Sequence, residues 1–221
     1  MSWQPLWLSL QVAGSATLLA GLTGVLLAGW LARGRFPGRD LIDVLVTMPM
    51  ILPPTVLGYY LLMILGRDTA VGRAYESITG TSLVFTPTAA VLAGYLAALP
   101  FVVKSARAAM EDVDPRLVDA AVTLGASPLR VFATVVLPLS WNGVLAGLTL
   151  GLARALGDFG VTLMIAGNIP GLTQTASLAI YDAVQAGREA RAAGLVAVLS
   201  AFALVALYAG TKLARRRPHG W

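Results

Sequence analysis

The sequence predicts an all-α integral membrane protein with five transmembrane helices, on three observations. Of its 221 residues 57% are hydrophobic and only 12% charged, against roughly 45–50% and roughly 25% in soluble domains. Five segments stay apolar over the roughly 20 residues that a helix needs to cross a bilayer. No stretch shows the roughly ten-residue alternation of a membrane strand, so the backbone must satisfy its polar groups within helices rather than around a barrel.

The first span covers Leu6–Leu31. No Lys or Arg precedes it in "MSWQPLWLSL", and it outruns the roughly 7–15-residue core of a signal peptide, so it is expected to be retained. The second, Leu41–Leu65, contains "TMPMILPPTVLG", with Pro49, Pro53 and Pro54 near mid-membrane. Each removes a helical hydrogen bond. The result is either a kink absorbed by packing or a broken helix lining a pathway. The third span is Leu83–Val103 and the fourth Trp141–Ala166. The fourth carries Gly143, Gly147 and Gly151, two GxxxG steps on one face, which lets another helix of this chain or of a second copy approach closely.

Near the middle of that span stand Arg154 and Asp158, where a charge costs about 2.5–3.5 kcal/mol. Four residues apart, they share a helix face. They are either a mutually neutralised structural pair or charges of a gate or pathway, for which Thr162, Asn168, Pro53 and Pro54 are further candidates. The next stretch, "NIPGLTQTASLAIYDAVQAG", is too polar to cross. It forms either an external interfacial helix or a cover on the outer end of the pathway. The fifth span is Ala192–Leu213. The chain reads as one membrane domain over residues 1–221, with no internal repeat and no soluble appendage.

The net charge of +5 does not gather into a nucleic-acid-binding stripe. Basic residues punctuate the apolar runs instead. Arg33, Arg35, Arg39, Lys104, Arg107, Arg116, Arg130, Lys212, Arg215, Arg216 and Arg217 fall on one side, and Arg67, Arg73, Arg188 and Arg191 on the other. The positive-inside rule therefore places the C-terminus in the cytoplasm and the N-terminus outside. With no cysteine, and with His219 the one histidine, thiol chemistry is excluded and no metal site is expected. No HExxH motif and no pair of intramembrane carboxylates supports an intramembrane enzyme. A secondary transporter would usually show repeated halves, into which five spans do not divide.

The connection 104–140 is cytoplasmic by this count. Asp114 puts an oxygen acceptor before Pro115, and "RLVDAAVTL" then runs to Gly125, the start and stop signals of a helix of about three turns. Ser127 and Pro128 repeat the start. Leu129, Phe132, Val135 and Val136 then recur at helical steps until Pro138, which is expected to end the helix. An ordered loop too short to fold alone either packs on its own helix ends or docks a soluble partner, with Phe132 and Leu129 as apolar anchors.

This segment resembles the cytoplasmic coupling loop, the EAA motif, of ABC-transporter permeases. Asp119, Ala120, Ala121, Gly125, Val135, Leu137 and Pro138 match its spacing, Asp119 standing where the family usually has Glu; Ser127 and Phe132 lie inside it. A second stretch, Gly151 to Gly187, resembles molybdate permease subunits and, less closely, sulfate/thiosulfate ones, and the similarity to molybdate permeases runs over nearly the whole chain. The resemblance implies a five-transmembrane-helix ABC importer permease of the molybdate/tungstate uptake family, in a bacterial or archaeal inner membrane. Such permeases work as a homodimer with two cytoplasmic ATPase subunits, which bind ATP and Mg, and an external molybdate-binding protein. The resemblance is strongest after the fourth span, which suggests that this segment receives the binding protein. The ATP-binding signature needs a Gly-Lys pair, whereas Lys104 follows Val and Lys212 follows Thr. Neither cofactor is thus expected on this chain. An unpaired Arg154 would attract any dianion and Asp158 would repel it, so the choice of oxyanion is expected to lie with the binding protein.

Overall fold

Small residues decide how this chain packs. The computed structural model describes residues 3–34 and 36–215, and these form helices joined by short turns. Arg35, Arg216, Arg217 and His219 lie outside the described residues. The centre is a triad of α1 (Gln4–Arg33), α5 (Pro87–Glu111) and α9 (Trp141–Leu156). Ala13, Ala16 and Ala20 of α1 and Ala90, Ala93 and Ala98 of α5 are fully buried between them. A Cβ on Gly94 would stand 3.0 Å from Ala16 Cβ. Lipid tails are as apolar as leucine, so close van der Waals contact between small-residue faces is what drives such helices together.

The glycine face of α9 meets α5 of the same chain. A Cβ on Gly147 would lie 3.1 Å from Val102 Cα and 3.2 Å from the Phe101 carbonyl. One on Gly151 would lie 3.3 Å from the Ala98 carbonyl, and one on Gly143 would collide with Ala109. All three predicted packing glycines thus serve one intrachain seam.

Among the described residues three helices, α1, α5 and α12 (Glu189–Arg215), are long and apolar enough to cross a membrane, and two bent pairs raise the number to as many as five. The second predicted span is α2 (Arg39–Ile51) and α3 (Pro54–Leu65), which meet at 117°. Pro49 is absorbed inside α2. The break falls at Leu52–Pro53, because Pro54 fits the first position of a helix but could not continue one. After α3 comes α4 (Ala70–Thr79), a short helix absent from the expected elements. It is capped by Thr69, whose Oγ1 accepts the Gly72 N–H at 2.9 Å.

The fourth span departs from expectation. It does not run unbroken from Trp141 to Ala166: α9 stops at Leu156, and a shorter helix begins at Gly160 after a break. The helix expected to end at Pro138 ends one residue later, at Leu139, with the proline accommodated inside its last turn. In chain order, α6 (Pro115–Thr123) leads through a turn to α7 (Pro128–Val131), a π-helical turn (Phe132–Val136) and α8 (Leu137–Leu139). The wide turn, closed by the Leu137 N–H on the Phe132 carbonyl, makes room for the proline ring in place of a stop. The chain then bends by 74° at Ser140 into α9.

Beyond the break lie α10 (Gly160–Ala166) and α11 (Ala176–Gln185). The latter is not a free interfacial helix: Ala176, Leu178, Ala179 and Ala183 are buried, and the Ala176 N–H donates to Ser9 Oγ of α1 at 2.7 Å. Phe85 adopts φ +60 and donates its N–H to the Ile165 carbonyl at 2.8 Å. It ties the start of α5 to the end of α10 at the cost of a backbone shape that non-glycine residues avoid. The bundle therefore has two distinct ends. At one, Ala28 and Leu31 of α1 pack with Val131 and Val136 of the 104–140 connection; at the other, Leu6 packs with Ala176, Ala179 and Leu195.

Candidate functional site

The two breaks meet. A Cβ on Gly160 would lie 2.7 Å from Pro54 Cβ, and one on Gly58 would lie 2.6 Å from Met164 Cβ. α3 and α10 therefore run side by side from their first residues, each notched by a glycine where the other passes. The Pro53–Pro54 break and the Gly157–Phe159 break are brought together although about 100 residues separate them.

Asp158 organises this junction. Its side chain is 1% exposed, and Oδ1 pairs with Arg154 Nη1 at 3.3 Å. Oδ2 accepts the Thr162 N–H at 2.9 Å and Thr162 Oγ1 at 2.7 Å. The carboxylate thus takes up one of the donors left unpaired at the start of α10. Its own carbonyl accepts Ser177 Oγ at 2.8 Å, which fastens α11 to the break. Arg154 is committed less fully, with a third of its side chain exposed. The pair expected from the sequence is therefore formed, and its cation still presents a face.

Arg154, Asp158, Thr162 and Pro54 are gathered here, with Pro53 on the turn into α3. Asn168 is not. It donates to Asp182 Oδ1 at 2.7 Å and accepts from Gln174 Nε2 at 3.0 Å, and Gln174 donates to Asp182 Oδ2 at 2.6 Å. That closed network stabilises the turn before α11 rather than the break.

At the opposite end, the 104–140 connection folds as its caps dictate. Asp114 Oδ1 accepts the Arg116 N–H at 2.9 Å, and Ser127 Oγ accepts the Arg130 N–H at 3.4 Å. Gly125 sits at φ +82. The Ala126 N–H reaches the Ala121 carbonyl at 3.1 Å and the Gly125 N–H the Val122 carbonyl at 2.9 Å, which closes α6 with a Schellman motif. Val118, Ala121 and Ala126 face the body, and Leu137 packs into the same cluster. Asp119, Ala120 and Pro138 are exposed. So are Leu117, Val122, Leu124 and Leu129, the last two at 88% and 73%.

Phe132 requires a correction. It was expected to face outward as a docking anchor, but its ring fills the notch at Gly29 of α1, where a Cβ would collide with it. The helical stripe was real, but it faces inward at Phe132 and outward at Leu129.

The sequence profile described as "Binding-protein-dependent transport system inner membrane component" matches residues 20–217. The chain belongs to that family. Relatives of this permease include the molybdenum transport system permease proteins of Haemophilus influenzae, 42% identical over 95% of this chain and 92% of the relative, and of Escherichia coli strain K12, 40% identical over 96% and 93%. The sulfate transport system permease protein of Salmonella typhimurium is 32% identical over 98% of this chain and 82% of its own length. The permease shares its fold with a bacterial ABC transporter for the import of alginate, with a TM-score of 0.76 at 18% identity over 98% of this chain and 80% of that one. A methionine ABC transporter in an inward-facing conformation gives 0.73 at 16% identity over 98% and 99%.

One constellation in the permease escaped sequence reasoning. Arg39, Lys104 and Arg107 served there only as topology signals. In the structure Asp43 of α2 accepts Lys104 Nζ at 2.8 Å and Arg107 Nη1 at 2.8 Å. Glu111 accepts Arg107 Nε at 2.8 Å and Arg39 Nη2 at 2.8 Å. The Arg107–Glu111 spacing of four residues was a legible sign of one link. Arg39 and Glu111 also wall an open cleft shared with Arg33, Val118 and Asp119.

Proposed function

We propose that this chain is the membrane permease of an ATP-driven molybdate importer, which also admits tungstate, a tetrahedral dianion of similar shape. The observation that carries this reading is the 40–42% identity to molybdenum permeases over nearly their whole length, against 32% to a sulfate permease. Two copies would enclose the pathway. Two cytoplasmic ATPase subunits, holding ATP and Mg²⁺, would sit on the 104–140 connections, and an external molybdate-binding protein would dock at the α11 end. The N-terminus lies outside and the C-terminus in the cytoplasm. Two features support this arrangement: the uneven Lys and Arg count, and the exposure of the apolar side chains of Leu117, Val122, Leu124 and Leu129 on the connection. The chain has no ATPase site of its own, since neither of its lysines follows a glycine, and the nucleotide site must be supplied in trans.

Within the pathway, the junction of the two breaks suits an anion that must not be held. Arg154 presents a partly exposed guanidinium whose field is offset by Asp158 at 3.3 Å. A permease must release its cargo as well as admit it, and a neutralised cation attracts a dianion without trapping it. The positive end of the α3 dipole, beside Gly160, acts in the same sense. None of these groups separates one tetrahedral oxyanion from another by shape, which leaves that choice to the external protein.

Uptake of labelled molybdate, tungstate and sulfate in cells lacking this chain tests the reading. High-affinity molybdate and tungstate uptake should be lost and sulfate uptake retained. Loss of sulfate or thiosulfate uptake with molybdate intact would assign the chain to the sulfate permeases. Uptake that persists without any ATPase subunit would make it a secondary transporter.

A further inference from the structure

The half-span α2 is held to the protein in an unusual way. Of its 13 residues only Val46 is buried, while Leu41, Val44, Leu45, Met50 and Ile51 are each about half exposed or more. Apolar packing seats it only through Val46 and Ile42, which join the cluster of Leu31, Val103 and Val136. Both its ends are joints: Gly38 before it has φ +92, and the chain turns through 117° at Leu52–Pro53 after it. Between those joints the attachment to α5 is ionic. Asp43 is gripped by Lys104 and Arg107 one helical turn apart, and Arg39 reaches Glu111, which Arg107 also holds.

We infer that these five residues form a clasp that seats α2 on α5 and positions the Pro53–Pro54 break, and that its opening is a step of the transport cycle. A rod on two joints has two natural arrangements, seated and released, and the clasp sets the balance between them. The geometry gives the clasp leverage at both ends of the site. Glu111 is the last residue of α5, three residues before Asp114 caps α6, so a shift of the cytoplasmic connection acts on the Glu111–Arg39 link first. At the far end of α2, Pro54 touches Gly160, so a shift of α2 acts on the junction beside Arg154 and Asp158. The side chains are 18–41% exposed, which places the clasp between a screened surface pair of small effect and a buried pair too costly to open. Asp43, Lys104, Arg107, Glu111 and Arg39 are thus positioning residues, which act through the break and touch no substrate.

This inference rests on the permease reading, and the test separates the two. The chain has no cysteine, so Val46→Cys gives a single thiol on the seated face of α2, where cysteine behaves as a small apolar side chain. In membrane vesicles, a water-soluble maleimide should label that thiol slowly. Adding Asp43→Asn should speed labelling about tenfold, as loss of about 1.4 kcal/mol of seating energy would. Glu111→Gln should do the same by opening the link to Arg39 beside the Gly38 joint, and Asp43→Glu should restore slow labelling. In cells, Asp43→Asn should lower molybdate uptake without lowering the amount of permease in the membrane or the amount of ATPase that purifies with it. A structural defect would reduce all three together. Equal labelling rates and normal uptake in Asp43→Asn and Glu111→Gln would overturn the clasp. Absence of oxyanion uptake by the unaltered chain would instead overturn the permease reading, and the labelling rates would still decide the clasp.

Discussion

Gly147→Leu is expected to prevent the bundle from assembling. The Cβ alone would lie 3.0 Å from Ser105 Cβ, 3.1 Å from Val102 Cα and 3.2 Å from the Phe101 carbonyl. Two of these are backbone atoms of α5, which cannot rotate away. The remaining atoms of leucine have no space unless α9 moves off α5, and that seam is the spine of the fold. Overpacking of this kind destabilises by about 1–3 kcal/mol where the surroundings adapt, and by more where they do not. Gly147→Ala should lose less, since only the first atom must be accommodated. Gly14→Leu is the control: nothing lies within 4 Å of a Cβ there, and stability should stay within about 0.5 kcal/mol of the parent. Yield of monodisperse protein in detergent and its thermal unfolding measure all three. A Gly147→Leu protein that purifies and unfolds like the parent would refute the α5–α9 seam.

Phe132→Asp and Leu129→Asp, three residues apart, should fail in opposite ways. The Phe132 ring fills the notch over Gly29 and packs on the buried cluster of Val131, Val136 and Met110. Its removal should cost about 3–5 kcal/mol in lost packing, and a stranded carboxylate at the same place adds several more. The 104–140 connection should come off its seat and expose protease sites. Leu129 is 73% exposed, so a carboxylate there is harmless to the isolated permease; on the proposed docking surface it removes an apolar anchor and should abolish retention of the ATPase. Limited proteolysis of the isolated chain and co-purification of the ATPase separate the outcomes. A Phe132→Asp that stays resistant to protease but loses the ATPase, alongside a Leu129→Asp that keeps the ATPase but opens to protease, would show that the assignment of inner and outer faces is reversed; two variants that behave like the parent would refute both roles.

The pair also marks how far the sequence could be read. Leu129, Phe132 and Val136 recur at helical steps, and that periodicity identifies a helix with an apolar stripe. It cannot say which end of the stripe has protein beside it, because Gly29 lies about 100 residues earlier and nothing local points to it. The five apolar runs and the caps at Asp114, Gly125 and Ser127 were legible because each is a local signal. The break at Gly157–Phe159 was not, since Leu156, Val161 and Leu163 on either side keep hydropathy high throughout. The clue was Asp158 itself. An intramembrane carboxylate four residues before Thr162 can cap a new helix as readily as it can neutralise an arginine, and here it does both. The clasp was hidden for a different reason: its links between α2 and α5 span 61 to 72 residues, and charges near span ends ordinarily report topology alone. α4 was missed because ten residues with Arg73 and Glu76 fall below any membrane-span criterion.

The meeting of two helix starts, at Pro54 and Gly160, has a consequence for hydration. The first amides of a helix have no carbonyl one turn behind them; at this junction the Pro53 carbonyl takes up those of Val56 and Leu57, Asp158 that of Thr162 and the Phe159 carbonyl that of Leu163, which leaves the very first of each helix. In a bilayer such amides persist only where water reaches them or protein covers them. Deuterium from the solvent should therefore enter the backbone at Thr55, which is exposed, and Gly160, which is half-buried, while the amides of α1 and α5 at the same depth stay protonated. The rate at which those few positions exchange becomes an intrinsic gauge of how wet the middle of the protein is, readable without any label and in every state of the working assembly.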